Sequence, residues 1–156
     1  KPILKKVNLI SLINENINLM NELNNSVKIN FDYADKKAFI MCDTEQINRV
    51  FINLLKNSIE SIEEKMSKTP DIVKKIDIEI NEKDDYIETL IIDNGIGFDT
   101  KNLENILKPY FTTKQNGTGL GLPIVNKIIN DHNGTLKILP YQNGAKIKIT
   151  IPKNVN

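Results

Sequence analysis

The pattern that most constrains the fold is the alternation of apolar and polar residues in four short stretches. The four stretches are residues 75–81, 86–93, 135–139 and 145–151. Such alternation is typical of strands that bury one face of a sheet and leave the other in water. Polar turns at residues 83–85 and 142–144 join the stretches in pairs. The sequence therefore predicts two β-hairpins within a mostly antiparallel sheet.

Three other stretches space their apolar residues as an amphipathic helix does. They are residues 7–23, residues 45–66 and the segment from Pro123 to about Asp131. Asp43-Thr44 offers an N-cap for the second helix, with Gln46 at the reciprocal position of a capping box. His132-Asn133-Gly134 is typical of a C-cap for the third helix.

Two further strands and a short helix complete the secondary-structure prediction. Residues 27–31 and 38–42 are predicted to pair as a hairpin, and residues 103–107 have a helical pattern. The predicted fold class is α/β (α+β): a two-layer sandwich in which three helices cover one face of a mixed, mostly antiparallel sheet.

Composition excludes several classes of protein. Twenty-one Lys and Arg oppose twenty Asp and Glu, so a formal charge of +1 gives no field toward nucleic acid or an anionic membrane. We therefore expect no nucleic-acid partner and no direct membrane contact. The single cysteine, Cys42, lies in an apolar run and is predicted to be a buried strand thiol. One cysteine excludes an internal disulfide and a Cys-based zinc site.

The length of 156 residues and the 40% hydrophobic composition predict one domain with a well-buried core. We assign that domain to residues 7–156. The chain begins with Lys-Pro rather than Met. Residues 1–6 are therefore interpreted as the end of a linker from an upstream domain that is missing from this sequence.

The second predicted helix carries two asparagines, Asn53 and Asn57, one turn apart on the same face. A carboxamide oxygen is a neutral, hard ligand, which suits a Mg²⁺ ion already held by phosphate oxygens. In a chain rich in asparagine, two solvent-facing side chains are the simpler interpretation of this pair taken alone.

Asp93 follows an apolar strand and precedes Asn94-Gly95-Ile96-Gly97. A carboxylate at the mouth of a strand accepts hydrogen bonds only, and it can accept one from the exocyclic amine of adenine. Gly95 and Gly97 would allow a sharp turn close to a ligand. Asp-Asn-Gly is also an ordinary turn sequence.

Two motifs follow in the last third of the chain. Residues 109–114 join an aromatic pair to two hydroxyls and Lys114, a flexible cation that can reach phosphate. Residues 117–122 place alternating glycines before a helix, where backbone N–H groups and the helix dipole favour an anion. The glycine spacing differs from the dinucleotide fingerprint, and no Walker-type phosphate loop occurs.

Together and in this order, the four motifs resemble the N, G1, F and G2 boxes of the superfamily shared by histidine kinases, gyrase B, Hsp90 and MutL. The resemblance extends over about residues 8–152, and residues 109–114 look most like sensor kinases of the nitrogen-regulation type. It implies a Bergerat-type ATP-binding fold. It also implies the ATP-binding catalytic domain of a two-component sensor histidine kinase, with ATP and Mg²⁺ as cofactors.

The resemblance implies a role for each matching residue. Asn57 would ligate Mg²⁺, Asn53 would lie near the phosphates, and Asp93 would bind adenine. The other implied ATP-binding residues are Gly95, Gly97, Phe111, Thr113, Lys114, Gly117, Thr118, Gly119, Leu120, Gly121 and Thr150. The implied catalytic residues are Asn53, Asn57 and Lys114.

Position 53 separates kinases from hydrolases within this superfamily. The hydrolases resemble one another in carrying there a Glu that activates water, and this chain has Asn53. A carboxamide cannot take up a proton at neutral pH, which removes general-base help typically worth about 10² to 10⁴ in rate. The prediction is phosphoryl transfer to a histidine on a separate domain.

The only histidine, His132, is interpreted as a structural cation near a helix C-terminus, because the phosphoacceptor pattern is missing around it. We therefore expect that this chain does not phosphorylate itself. Two alternatives stay open: an anti-sigma-type serine kinase, and a non-catalytic ATP-binding module on the same scaffold.

The implied partners are the missing dimerisation and phosphoacceptor domain of a homodimeric parent and a downstream response regulator. The expected location is cytoplasmic, with a parent that could be anchored in the inner membrane.

Overall fold

The computed structural model describes residues 1–33, 36–99, 106–107 and 121–154. The described strands are β1 (Lys5–Asn8), β2 (Lys28–Asn30), β3 (Phe39–Cys42), β4 (Lys75–Glu82), β5 (Tyr86–Asp93), β6 (Thr135–Leu139) and β7 (Ala145–Pro152). The described helices are α1 (Leu9–Leu23), α2 (Thr44–Lys68) and α3 (Gly121–Asp131). The predicted helix at 103–107 lies largely outside the described residues.

Five strands form a mixed sheet in the order β2-β4-β5-β7-β6. The pairs β4–β5, β5–β7 and β6–β7 are antiparallel, and β2 runs parallel to β4. This arrangement confirms both predicted hairpins, β4–β5 and β6–β7, and the mixed, mostly antiparallel sheet.

The predicted hairpin between residues 27–31 and 38–42 is wrong. β2 instead pairs with β4, where Asn30 donates from Nδ2 to Asp77 Oδ1 at 2.7 Å. β3 pairs with β1 in a separate two-stranded sheet. Alternation determines which face of a strand is buried, but it does not select the partner strand.

Asn8 explains why α1 begins two residues later than predicted. Its Oδ1 accepts hydrogen bonds from Ile10 N at 3.2 Å and from Ala38 N at 3.0 Å. One side chain thus caps α1 and ties its start to β3. The strand before it begins at Lys5, inside the stretch assigned to a linker, and that domain boundary stays a prediction.

One face of the large sheet is apolar and lies under the helices. Its buried residues alternate along β4, β5 and β7, with Ile78, Ile91 and Ile147 in register across the three strands. α2 contacts both α1 and α3, and its Phe51, Leu54 and Leu55 are fully buried or nearly so. Contacts with α1 and α3 therefore hold α2 in place over the sheet, where it also contacts β5.

Cys42 is a buried free thiol in β3, as predicted. Burial, with a smaller contribution from the charge of Asp43, raises the pKa of Cys42 to about 11. The thiol is therefore protonated and inert near neutral pH. None of the helices that the structure describes has the length and hydropathy to cross a bilayer.

Asp43 caps α2, as predicted, but the reciprocal hydrogen bond expected from the Asp43 N–H to the Gln46 side chain is not formed. Asp43 Oδ2 accepts from Ile3 N at 2.9 Å and Oδ1 from Gln46 N at 3.2 Å, and these bonds lower the pKa of Asp43. The Asp43 N–H donates to His132 Nε2 at 3.0 Å instead of to the side chain of Gln46. His132 thus joins the end of α3 to the start of α2.

His132 lies at the end of α3, as predicted, and both of its ring nitrogens lie within hydrogen-bond distance of backbone groups. It is buried, its Nε2 accepts from Asp43 N, and its Nδ1 lies 2.8 Å from Ile128 O. A nitrogen that accepts carries no proton, so Nδ1 is the protonated nitrogen and donates to the carbonyl. The ring is a structural link between two helices.

Replacing His132 with Phe should lower the free energy of unfolding by about 1–3 kcal/mol, because the Asp43 N–H loses its acceptor while the ring volume is kept. Urea unfolding monitored by circular dichroism measures the change. Tyr141→Phe, which removes a polar group from an exposed ring, is the matched control and should change stability by less than about 0.5 kcal/mol. An unchanged midpoint for His132→Phe would show that the link contributes nothing.

Candidate functional site

A cleft of about 490 Å³, which includes space open to solvent, lies between α2 and the adjacent ends of β5 and β7. Its polar side chains are Asn57, Ser58 and Ser61 from α2 and Asp93 from β5. Its apolar wall is formed by Leu54, Ile96, Phe98, Leu122, Ala145 and Ile147. The mixture of an apolar wall with a few polar groups is typical of a small-molecule site.

Asp93 lies at the base of the cleft. It is the last residue of β5, is only 4% exposed, and pairs in register with Ala145 of β7. Its Oδ1 accepts from Gly95 N at 2.9 Å, which fixes the carboxylate and starts the turn that follows. A buried acceptor-only group of this kind can select a ligand by its hydrogen-bond donors.

The turn after Asp93 is clamped between α2 and the β6–β7 hairpin. Ile96 N donates to Ser61 Oγ at 3.0 Å, and Gly95 lies directly against Ser61. Gly97 has φ +75° and packs on the carbonyl of Gly144. The two glycines are therefore needed for close packing and for a left-handed backbone conformation, as the sequence indicated.

Gly95→Ala should destabilise the domain by about 1–3 kcal/mol, because the new Cβ would lie 2.7 Å from the backbone carbonyl carbon of Ser61, which cannot rotate away. Gly121→Ala is a matched control, since its Cβ would meet Asn57 Nδ2 at an ordinary 3.5 Å. Thermal unfolding of both variants tests the difference. Equal stability of the two would mean that the turn has room to move away from α2.

Asn57 lies on the rim of the cleft opposite the first residue of α3, Gly121. The side chain of Asn57 and the N-terminus of α3 thus face the same space. Free N–H groups of a helix N-terminus favour an anion there. Asn53 is half-buried one turn earlier on α2 and does not line the described part of the cleft.

Thr150 is not brought to the cleft. Its hydroxyl forms a hydrogen bond with that of Thr135 on the opposite face of the sheet. The β7 residues that face the cleft are Ala145 and Ile147. Each is an odd number of residues from Thr150, so their side chains lie on the other face of the strand. The other predicted site residues lie outside the described residues: Phe111, Thr113, Lys114, Gly117, Thr118, Gly119 and Leu120.

Several lining residues were missed by the sequence reading. Leu54, Ser58 and Ser61 share one stripe of α2 with Asn57, at spacings of three and four residues, so helical periodicity alone could have found them. Ala145 and Ile147 could have been found from strand parity. Ile96, Phe98 and Leu122 gave no signal beyond their proximity to the glycines.

Residues 42–155 match the model of the family described as histidine kinase-, DNA gyrase B- and HSP90-like ATPases. The chain belongs to this family. The match covers both walls of the cleft, from α2 to β7.

Curated relatives within the family are named as sensor kinases. The chain is 37% identical over 137 residues to a putative sensor histidine kinase NtrY-like of Rickettsia felis, with 88% of this chain and 22% of the relative covered. It is 30% identical over 155 residues to sensor histidine kinase ZraS of Escherichia coli strain K12, with 97% and 32% covered. The chain thus spans between a fifth and a third of the length of these relatives.

Solved structures share the whole fold of this family member. The catalytic domain of histidine kinase ThkA superposes with a TM-score of 0.83 at 29% identity, with 97% of this chain and 98% of that chain covered. The mycobacterial sensor histidine kinase MprB gives a TM-score of 0.82 at 18% identity, which supports the fold alone. The two-layer α/β architecture is that of a histidine kinase catalytic domain.

Proposed function

We propose that this chain binds Mg-ATP in the cleft and transfers the γ-phosphate to a histidine on a separate domain of a sensor histidine kinase. The observation that carries the proposal is the buried carboxylate of Asp93 at the base of an otherwise largely apolar cleft. Such a carboxylate accepts from the exocyclic amine of adenine and repels the carbonyl oxygen that guanine has in its place.

The order of groups along the cleft supports the orientation of the nucleotide. Asp93 marks the base end, and Asn57 with the start of α3 marks an end suited to anions. ATP would therefore lie with adenine between Asp93 and α2 and with its phosphates toward Gly121. Lys114 and the glycines from Gly117 are proposed to complete the phosphate end.

The residues on the rim fit a magnesium ion held mainly by the nucleotide. In the described ranges no group of three or more His, Cys, Asp or Glu could hold a metal ion. The neutral amide oxygen of Asn57 would supply one protein ligand, while phosphate oxygens and water supply the rest. Mg²⁺ bound there would neutralise charge on the phosphates.

A protein acceptor rather than water is the proposed nucleophile, because no carboxylate stands at position 53. Asn53 cannot act as a general base, so bound ATP would persist until an imidazole from another domain arrives. Phosphoryl transfer then depends mainly on alignment and on charge neutralisation. The chain alone is expected to remain unphosphorylated.

The proposed partners follow from the proposal that this chain holds ATP while another domain supplies the histidine. They are the dimerisation domain that carries the phosphoacceptor histidine, in a homodimeric parent, and a response regulator that takes up the phosphate. We propose a cytoplasmic location for the domain, with neither nucleic acid nor membrane in contact with it.

The proposal is tested by mixing the chain with the histidine-bearing domain of its parent, Mg²⁺ and ATP labelled at the γ-phosphate. Acid-labile, alkali-stable label on the histidine domain is expected, with none on the chain incubated alone. Acid-stable label on serine would instead identify a serine kinase. ATP binding without transfer to either domain would identify a non-catalytic module.

A further inference from the structure

Asn94 follows Asp93 but turns its side chain away from the cleft. It is not one of the described residues that line the cleft. Its amide instead bonds the segment that leads into β4: Oδ1 accepts from Lys75 N at 3.1 Å, and Nδ2 donates to Val73 O. A side-chain amide has an acceptor and donors, as a peptide group does, so it can bond two main-chain groups at once.

These two bonds continue the β4–β5 ladder by one residue beyond its end. The last backbone pair at this end is Ile76 with Asp93, so the next residue along the chain, Asn94, lies opposite Lys75. Its side chain therefore takes the place that its backbone would have in a longer ladder. The main chain can then leave the sheet and turn toward α2, where Gly95 packs.

The segment that Asn94 bonds is also held on its other side. Lys28 N of β2 donates to Lys74 O at 3.0 Å, and β2 runs parallel to the start of β4. None of the described residues that line the cleft comes from β2 or β4. Asn94 thus attaches the turn after β5 to a part of the sheet that lies outside the cleft.

The same turn determines where the Asp93 carboxylate lies. Asp93 Oδ1 accepts from Gly95 N at 2.9 Å, so a shift of the turn would also move the carboxylate. On the cleft side, the turn is held by the hydrogen bond from Ile96 N to Ser61 Oγ. The two bonds of Asn94 hold it from the opposite side.

We propose that Asn94 is a positioning residue for base recognition: it does not touch the nucleotide, but it holds the Asp93 carboxylate in the orientation that adenine requires. This inference rests on the proposed function, namely that ATP occupies the cleft with its base at Asp93.

Asn94→Ala removes both bonds and leaves every described cleft-lining side chain unchanged. A carboxylate that is held less firmly bonds the exocyclic amine of adenine less well, and it also repels the carbonyl oxygen of inosine triphosphate less. The affinity for Mg-ATP divided by the affinity for Mg-inosine triphosphate, both measured by calorimetry, should therefore fall about tenfold. A loss of stability alone would weaken both affinities by the same factor and leave this ratio unchanged.

Asn30→Ala is the matched control, because Asn30 is also a half-buried asparagine that links two segments, with Nδ2 donating to Asp77 Oδ1. It should lower the melting temperature and leave the affinity ratio unchanged. Asn94→Asp is a milder variant, since it keeps an acceptor for Lys75 N and loses only the donor to Val73 O. Its affinity ratio should fall less than that of Asn94→Ala.

Two results would overturn the inference. One is a lower melting temperature of Asn94→Ala with an unchanged affinity ratio, because the side chain would then support only the fold. The other is an equal fall of the ratio in Asn30→Ala. If the wild-type protein binds ATP, either result rejects the role of Asn94 alone. Absence of ATP binding by the wild-type protein rejects the proposed function as well.

Discussion

The Asp93→Asn variant is expected to lose about 100-fold in affinity for Mg-ATP, the size of a hydrogen bond to a buried charged group. Asn keeps an oxygen that can accept from Gly95 N, so the turn should survive. Its amide NH₂ would then face the exocyclic amine of adenine, and two donors cannot bond each other. Calorimetry with ATP measures the loss.

A change of base preference makes the Asp93 experiment specific. Inosine triphosphate has a carbonyl oxygen in place of the amine, so the variant should bind it more tightly than the wild-type protein does. Asp84→Asn, at an exposed position in the turn before β5, is the matched control and should bind both nucleotides as the wild type does. A variant that keeps its preference for ATP would remove Asp93 from base recognition.

The hairpins of the sheet could be predicted from sequence because their strands are neighbours along the chain. The short turns at 83–85 and 142–144 bring each strand next to the strand that follows it in sequence. The alternation of apolar and polar residues then determines which face of each strand is buried. β2 is different, since the whole of α2 separates it from β4. Its pairing depends on long-range contacts such as Asn30 with Asp77, which no local pattern specifies.

The candidate site could likewise be predicted only in part from the sequence. Asp93 and Asn57 were found because a carboxylate and a carboxamide have distinctive chemistry at motif positions. Ser61 matters only because Gly95 packs against it, a contact created when α2 docks on the sheet.

The alternation of buried residues along β7 argues against the ATP-binding role that the resemblance implied for Thr150. Its neighbours Ile149 and Ile151 are apolar and nearly fully buried, which turns Thr150 to the other face of β7. His132 shows the limit of a charge argument. Its position at a helix end gave no indication of the hydrogen bond that its Nε2 accepts from Asp43 N at the start of α2.

The Asn57→Ala variant is expected to lose the Mg²⁺-dependent part of ATP binding. Affinity with Mg²⁺ present should fall about 10- to 100-fold, because the ion loses its protein ligand, while affinity in EDTA should change less than about twofold. Transfer of phosphate to the histidine domain should fall by at least about 100-fold, since charge on the phosphates is no longer aligned and neutralised.

Two further variants decide what Asn57 does. Asn57→Asp restores an oxygen ligand but adds negative charge beside the phosphates, so we expect Mg²⁺ dependence to return with weaker nucleotide binding than in the wild type. Asn18→Ala, at an exposed asparagine of α1, should leave both measurements unchanged and controls for loss of a helical carboxamide. If Asn57→Ala lowers affinity equally with Mg²⁺ and with EDTA, the side chain acts through its packing against Gly121 rather than through the metal, and the magnesium must be held by other groups.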